Sequence, residues 1–169
     1  MMKMSQIFMA TLLANLITFG AQAAGNTGSV TFKGEVVDSP CDLVGSNDGT
    51  GVKAEFGQLS LSGLNSGRIA TKDFTIYLKN CVIDKKTAQI TFNSTNQIAG
   101  KNLLKTTGDA TGLGIRINDI TFGTALPLTG LAEGDNMLTY TAMVQKADEA
   151  TLITVGDFIS STNFVIAYK

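Results

Sequence analysis

The sequence is 169 residues long, which is enough for one domain with a sizeable core of its own. Its 13 basic and 14 acidic side chains nearly cancel and form no block of one sign, so the chain lacks the charge pattern of a nucleic-acid-binding protein. Glycine is frequent, proline is scarce, and strand-favouring residues recur between turn residues. This composition is typical of an all-β protein built from short strands.

The beginning of the chain has the features of a signal peptide. Lys3 supplies a positive charge, and the apolar run at 7–19 is shorter than the ~20 residues needed to cross a bilayer. Ala21 and Ala23 then form the small-x-small pattern of a cleavage site. We expect cleavage after Ala23, with cleavage after Ala24 as the alternative, and export of the remaining chain. An amphipathic helix at the start of a cytosolic protein is the competing interpretation.

Two cysteines, Cys41 and Cys81, lie in the part that is predicted to be exported. An even number of cysteines in an oxidising compartment favours a disulfide. Two thiols without any histidine make a poor zinc site, because such sites usually have four nitrogen or sulfur ligands. Their spacing also differs from the C-x-x-C of a redox enzyme. We therefore predict a disulfide between Cys41 and Cys81 and no metal site.

Alternating apolar and polar residues predict a series of strands. In the first strand, 28–37, Val30 and Phe32 share one phase and would lie on one buried face. Residues 45–51 are rich in Gly, Ser and Asn and predict a loop. The chain ends on another alternating run, 158–169, so strands are expected at both ends of the exported chain, where they become edges that something must cover. The strands between them are predicted at 71–81, 87–92, 113–117 and 138–145.

The sequence contains no recognisable catalytic machinery. Without histidine there is no Ser-His-Asp or Cys-His arrangement, and the G-x-S-x-G and P-loop motifs are absent. Gly112 and Gly114 lack the third glycine of a dinucleotide-binding fingerprint, so we interpret them as turn glycines. Paired carboxylates can hydrolyse glycosides, but the acidic residues here are scattered. We predict no catalytic residue, no cofactor and no small-molecule substrate.

Four sequence patterns follow one another along the chain. They are GSVTFKGEVVDSPC at 28–41, LKNC at 78–81, NLL at 102–104 with GLGI at 112–115, and a C-terminus with Tyr168 at the penultimate position and Gly156 fourteenth from the end. Together, and in this order, they resemble the pilin subunits of the chaperone–usher fimbriae of Gram-negative bacteria. The resemblance covers essentially the whole exported chain, and LKNC matches the second cysteine of the family disulfide.

The resemblance implies an incomplete immunoglobulin-like β-sandwich that lacks its final strand, with a donor-strand extension before it. The domains would be a signal peptide (1–23), the N-terminal extension (24–33) and the pilin domain (34–169). The extension of one subunit would fill an apolar groove of the next subunit by β-strand addition. The donor side chains would be Gly28, Val30 and Phe32, and the acceptor groove, which a chaperone also uses, would include Gly156, Phe164, Ile166, Tyr168 and Lys169.

The implied partners are a periplasmic pilus chaperone, the outer-membrane usher and neighbouring pilin subunits. The chain would pass through the periplasm to the cell-surface fimbrium and support cell adhesion. A donor strand argues against an end subunit that only accepts, which leaves the shaft subunit or a minor subunit; length and loops lean slightly towards a minor one. The alternative function is an exported monomeric sugar-binding adhesin of the same sandwich class, although tryptophan, a common platform for sugars, is absent.

Overall fold

The computed structural model describes residues 39–44, 51–84 and 86–169. The predicted signal peptide, the predicted extension and most of the predicted loop at 45–51 lie outside these residues. Within them the chain forms the following elements, in order: β1 (Asp42–Leu43), α1 (Leu61–Asn65), β2 (Ala70–Cys81), β3 (Ala88–Asn93), β4 (Leu104–Lys105), β5 (Leu113–Ile117), β6 (Ala125–Leu128), β7 (Gly134–Lys146) and β8 (Asn163–Tyr168).

The strands form two sheets in which every pairing is antiparallel. The first sheet has the order β1-β2-β7-β5-β4, and the second has the order β6-β3-β8. The long pair β2–β7 is central to the first sheet, and its register runs from Ala70 opposite Val144 to Cys81 opposite Gly134. In the second sheet β3 lies between β6 and β8. The described chain is therefore an all-β sandwich, as the sequence predicted.

The hydrophobic core lies between the inner faces of the two sheets. Phe92 on β3 contacts the rings of Phe74 and Tyr140 edge-on, with centroid distances of 6.4 and 5.1 Å. Such aromatic pairs stabilise a core by ~0.5–1.5 kcal/mol each beyond the burial of their area. The largest fully buried side chains are Phe92, Ile76, Leu78, Ile90 and Val144.

The structure confirms most of the predicted strands but corrects the last one. The runs predicted at 71–81, 87–92, 113–117 and 138–145 correspond to β2, β3, β5 and β7. The run predicted at 158–169 is wrong in its first part, because β8 begins only at Asn163. Before it, Ile159 forms one isolated bridge with Thr107. A strand needs a partner along its length, and the described residues supply only that single bridge to 158–162.

The short helix α1 connects the first sheet to the segment that precedes β8. Ser60 caps the helix, since its hydroxyl accepts a hydrogen bond from the Gly63 amide (3.2 Å). The side-chain amide of Asn65 donates to the Ile153 carbonyl (3.1 Å) and accepts from the Ile153 amide (2.8 Å). Asn65 thus pairs with Ile153 as a neighbouring strand would. Among the described residues no helix is long and apolar enough to cross a membrane.

Candidate functional site

An open groove runs beside β8, between the two sheets. Its narrower part is a cavity of about 460 Å³. The floor of this cavity is formed by three core residues, Phe74, Phe92 and Ile117. One of its sides is formed by Ser160–Phe164. The core is therefore reachable from solvent along this side of the sandwich.

A second cavity, of about 800 Å³, continues the groove beyond the start of β8. Its sides are the segments 52–59 and 153–160. Because the two cavities have several residues in common, they form one site, which we call the groove. The residues that line both cavities are Val52, Ala54, Phe56, Ile115 and Ser160.

The two walls of the groove run in opposite directions. The wall 51–59 begins beside Ser160–Phe164 and ends beside helix α1. The other wall begins at Ile153, which Asn65 holds next to α1, and ends at Phe164 on β8. An extended segment lying between the walls would therefore be parallel to one of them and antiparallel to the other.

The inward side chains of β8 are only half-buried. Phe164, Ile166 and Tyr168 pack against the core but keep part of their surface exposed, whereas Val165 points outward. Phe164 contacts Phe92 with a centroid distance of 5.9 Å. These side chains belong to the core, but no described residue covers their remaining surface. The edge of β8 is thus an unfinished part of the core.

The backbone of β8 has one free edge. Thr87 and Lys169 exchange two hydrogen bonds of 2.8 Å, and in an antiparallel pair the bonded residues alternate. The groups that face β3 therefore belong to Lys169 and every second residue before it. The N–H and C=O groups of Phe164, Ile166 and Tyr168 point the other way, where no described residue bonds them. The same three residues present both free hydrogen-bonding groups and half-buried side chains.

The wall 51–59 has the character of an unpaired strand. Ala54 and Phe56 are half-buried and line the groove, while Lys53, which precedes them, and Glu55, which lies between them, are exposed. This alternation is that of an extended strand with one apolar face. Within the described residues no backbone group of 52–59 forms a hydrogen bond. Both walls therefore offer backbone groups and apolar side chains to whatever lies between them.

Gly156 lies in the connector between β7 and β8, at the wide part of the groove. Its φ of +141° lies in the region that favours glycine, and a Cβ there would approach the Ala110 nitrogen to 2.6 Å. Any larger residue would push the connector away from the loop at 109–110. Gly156 therefore shapes the end of the groove without belonging to β8.

The C-terminal end of β8 lies next to the beginning of the described domain. Burial raises the pKa of the Tyr168 hydroxyl, and a hydrogen bond with Ser39 partly offsets this rise. The next residue, Lys169, is exposed and pairs with Thr87 through its backbone. Ser39 is therefore close to the C-terminal end of β8.

The chain is similar in sequence to known proteins. The sequence matches the profile described as "Fimbrial protein" over residues 30–169. This chain belongs to the fimbrial protein family. The pilin is 34% identical over 176 residues to the Fimbria A protein of Serratia marcescens, with 99% of this chain and 100% of that protein covered. It is 35% identical over 166 residues to the PRS fimbrial major pilin protein of Escherichia coli, with 89% and 100% covered.

Solved structures also resemble the pilin. The P pilus rod subunit PapA matches with a TM-score of 0.67 and 28% identity, covering 78% of this chain and 100% of that one. A chain in the structure of a chaperone–usher pilus matches with a TM-score of 0.69 and 31% identity, covering 85% and 96%. The chain is therefore a chaperone–usher pilin subunit, and its fold is the incomplete immunoglobulin-like sandwich that the sequence predicted.

The predicted disulfide of the pilin is confirmed. Cys41 and Cys81 are bonded, with their Cα atoms 4.1 Å apart. Cys41 directly precedes β1 and Cys81 ends β2, so the bond ties the first strand to the second. Both cysteines are buried in the core.

The structure brings together only part of the predicted site. Phe164, Ile166 and Tyr168 line up on β8, whereas Gly156 lies before the strand. The predicted donor residues Gly28, Val30 and Phe32 lie outside the described residues and stay predictions. Sequence analysis missed the wall 51–59, although the alternation of Val52, Ala54 and Phe56 with charged residues was a readable strand signal.

The polar chemistry of the described residues is sparse. No polar or charged residue among them is buried, and none of them form a group of three or more acidic or sulfur ligands that could hold a metal ion. The salt bridge between Lys101 and Asp148 (2.8 Å) is exposed and lowers the pKa of Asp148, chiefly through the hydrogen bond from Lys101. What the groove offers is a surface for binding an extended apolar segment.

Proposed function

We propose that this pilin polymerises by donor-strand exchange, with residues 24–33 of one subunit filling the groove of the next. The observation that carries the proposal is the free edge of β8, where Phe164, Ile166 and Tyr168 combine unpaired backbone groups with half-buried side chains. A strand added at this edge would hydrogen-bond to β8 and complete the core in one step.

The sequence of the extension suits the groove. Val30 and Phe32 share a phase, so both would point into the groove while Thr31 points outward. The cavity of about 460 Å³ beside Ser160–Phe164 has room for a large apolar side chain such as Phe32. Burying Phe32 fully would stabilise the joined pair by roughly 1.5–3 kcal/mol. Gly28 would fit a shallow part of the groove.

We also propose that a periplasmic chaperone covers the groove before subunits join, and that an outer-membrane usher receives the subunit. An exported chain with an uncovered apolar edge would aggregate, which motivates a chaperone. The carboxylate of Lys169, at the end of β8, would bind basic residues of that chaperone. The signal peptide (1–23) would direct export, the pilin domain would comprise 34–169, and the destination would be the surface fimbrium.

Within the fimbrium, we place this subunit in the shaft, where it supports adhesion as a structural element and not as an enzyme. The relatives include proteins named as major pilins and a rod subunit. This favours the shaft over the minor position towards which length and loops leaned.

A synthetic peptide of residues 24–33 tests the proposal. Uptake by the mature subunit, released from its chaperone, should protect the β8 backbone from hydrogen exchange. A peptide with Phe32→Ala should bind about ten- to a hundredfold more weakly, because it lacks the largest anchor. The control peptide carries Thr31→Ala, which removes an outward side chain and should bind like the unchanged peptide.

Two outcomes would refute donor-strand exchange. One is equal binding of the Phe32→Ala and Thr31→Ala peptides. The other is a subunit that remains a stable monomer, with or without peptide or chaperone, when periplasmic extracts are compared by size-exclusion chromatography. The second outcome would favour the alternative of a monomeric sugar-binding adhesin.

A further inference from the structure

Three apolar side chains stand exposed at the wide end of the groove. Leu152, Val155 and Ile159 have 71%, 73% and 69% of their surface accessible. Val155 and Ile159 also line the wider cavity, and Leu152 lies beside it in the same connector between β7 and β8. We call these three residues the apolar rim.

The connector that carries the rim is firmly held. Thr107 and Ile159 exchange two backbone hydrogen bonds of 2.9 and 2.8 Å. The Thr111 amide donates to the Thr154 hydroxyl (2.9 Å), and Asn65 holds both backbone groups of Ile153. Because the backbone is fixed on both sides of the rim, these side chains are presented outward by the fold.

Another exposed apolar residue lies at the opposite end of the domain. Val82, with 64% of its surface accessible, directly follows Cys81 and donates its amide hydrogen to the Pro40 carbonyl (2.7 Å). Ser39 precedes Pro40 and begins the described part of the domain. The chain that leads to the extension therefore joins the domain beside Val82.

The length of the connecting chain limits where a joined neighbour can lie. The proposed donor strand ends at Lys33, and six residue steps separate it from Ser39. At 3.3–3.6 Å per residue these steps span at most about 22 Å. The Val82 end of the donating subunit must therefore lie close to the end of the groove where Lys33 emerges.

The two ends of the groove differ in what they offer to such a neighbour. A donor strand antiparallel to β8 would bring Lys33 out at the apolar rim, and a parallel strand would bring it out beside Tyr168. The Tyr168 end carries the charged, exposed Lys169, whereas the rim carries three exposed aliphatic side chains. The rim is the better match for the exposed Val82 side chain.

We propose that the apolar rim of one subunit docks on the Val82 end of the subunit whose extension fills its groove. This inference rests on the proposed donor-strand exchange and adds a second contact between the bodies of successive subunits. The contact is head-to-tail, since different surfaces meet, and such contacts build open filaments. It sets the donor strand antiparallel to β8 and fixes the angle between neighbours.

The test compares uptake of the 24–33 peptide with uptake of a whole mature subunit. The acceptor variant carries Leu152→Ser, which leaves Val155, Ile159 and every other residue that lines the groove unchanged. The matched control is Met137→Ser, since Met137 has 67% of its surface accessible but lies on β7, away from the groove. Joined pairs are quantified by size-exclusion chromatography, and the angle between subunits is measured by electron microscopy.

The acceptor variant should bind the peptide normally, because Leu152 does not line the groove, but it should bind whole subunits about tenfold more weakly, because one buried side chain is lost. Its fibres should show a wider spread of angles. Val82→Ser in the donating subunit should weaken joining similarly. When the acceptor variant is paired with the Val82→Ser donor, the loss of joining free energy should be smaller than the sum of the two separate losses. The Met137→Ser control should behave as the unchanged protein.

The inference is overturned if the Leu152→Ser variant joins whole subunits as well as the Met137→Ser control and with the same angles. If peptide uptake is normal in that case, only the rim contact is wrong. If the unchanged subunit takes up neither peptide nor subunit, donor-strand exchange itself is wrong and the rim contact falls with it.

Discussion

Strands β7 and β8 carry the same alternation of inward apolar residues, yet their inward side chains lie in different environments. On β7, Ala142 and Val144 are buried, and the strand is paired with β2 on one side and β5 on the other. On β8, Phe164 and Ile166 stay half-exposed, and β3 is the one described strand beside it. The inward side chains of β7 are therefore buried where strands lie on both sides, whereas those of β8 stay half-exposed beside a single described strand.

The largest expected effect contrasts a finished part of the core with the unfinished one. Phe92→Ala should lower the free energy of unfolding by ~3–5 kcal/mol, because Phe92 is fully buried. Phe164→Ala should cost about half as much in the empty subunit and approach the Phe92→Ala cost once the 24–33 peptide fills the groove. Denaturant unfolding with and without peptide measures both. If Phe92→Ala and Phe164→Ala lower the free energy of unfolding equally in the empty subunit, the edge of β8 is already a complete part of the core.

The disulfide tests a part of the molecule away from β8, because it ties β1 to β2 in the first sheet by a covalent bond. Replacing Cys41 and Cys81 together by Ser should lower the free energy of unfolding by ~3–4 kcal/mol, since the bond closes a long loop across a separation of 40 residues. The loss should be similar with an empty and with a filled groove. Alkylation of both thiols in native, non-reduced protein would contradict the bond itself.

A smaller effect concerns the ionisation of the two half-buried tyrosines. Burial raises the pKa of Tyr140 and of Tyr168 above 10.0, so the stability that each gains by staying neutral is complete below pH 10 and is lost as pH rises through the folded value. Filling the groove should raise the pKa of Tyr168 further and change that of Tyr140 less. Phenolate absorbance checks this with Tyr77→Phe combined with either Tyr140→Phe or Tyr168→Phe. Equal shifts at both tyrosines would argue against an occupant beside β8.

The sequence predicted the strands that alternate plainly and have a long partner in the same domain. The prediction failed for β6, whose pattern is interrupted, and for 158–162, which has no ladder within the described residues. β2 and β7 show plain alternation, and each has a long antiparallel partner. The short β6 was missed because Pro127 interrupts its pattern, and proline is accepted there because β6 is an outer strand of its sheet. The alternation of burial from Phe158 to Tyr168 is real, but 158–162 has no ladder within the described residues.

Of the two walls of the groove, the sequence analysis predicted only the β8 side. The residues Phe164, Ile166 and Tyr168 were identified because a C-terminal alternating run resembles that of the family. The opposite wall, with Ala54 and Phe56, has no conspicuous neighbour in sequence, and its role depends on its distance from β8 in the fold. Periodicity indicates which residues share a face, but it does not tell which two faces will leave a space between them.

The free edge of β8 also limits how an added strand can slip. A slip of one residue turns the apolar side chains of the added strand outward, so it is excluded. A slip of two residues restores both the hydrogen bonds and the inward phase, and the backbone alone cannot distinguish it from correct assembly. Only the unequal space along the groove can: the small side chains of Ser160 and Thr162 leave room beside the bulky Phe164. The register of the added strand would then be decided by whether its one large side chain fits the one wide position of the groove.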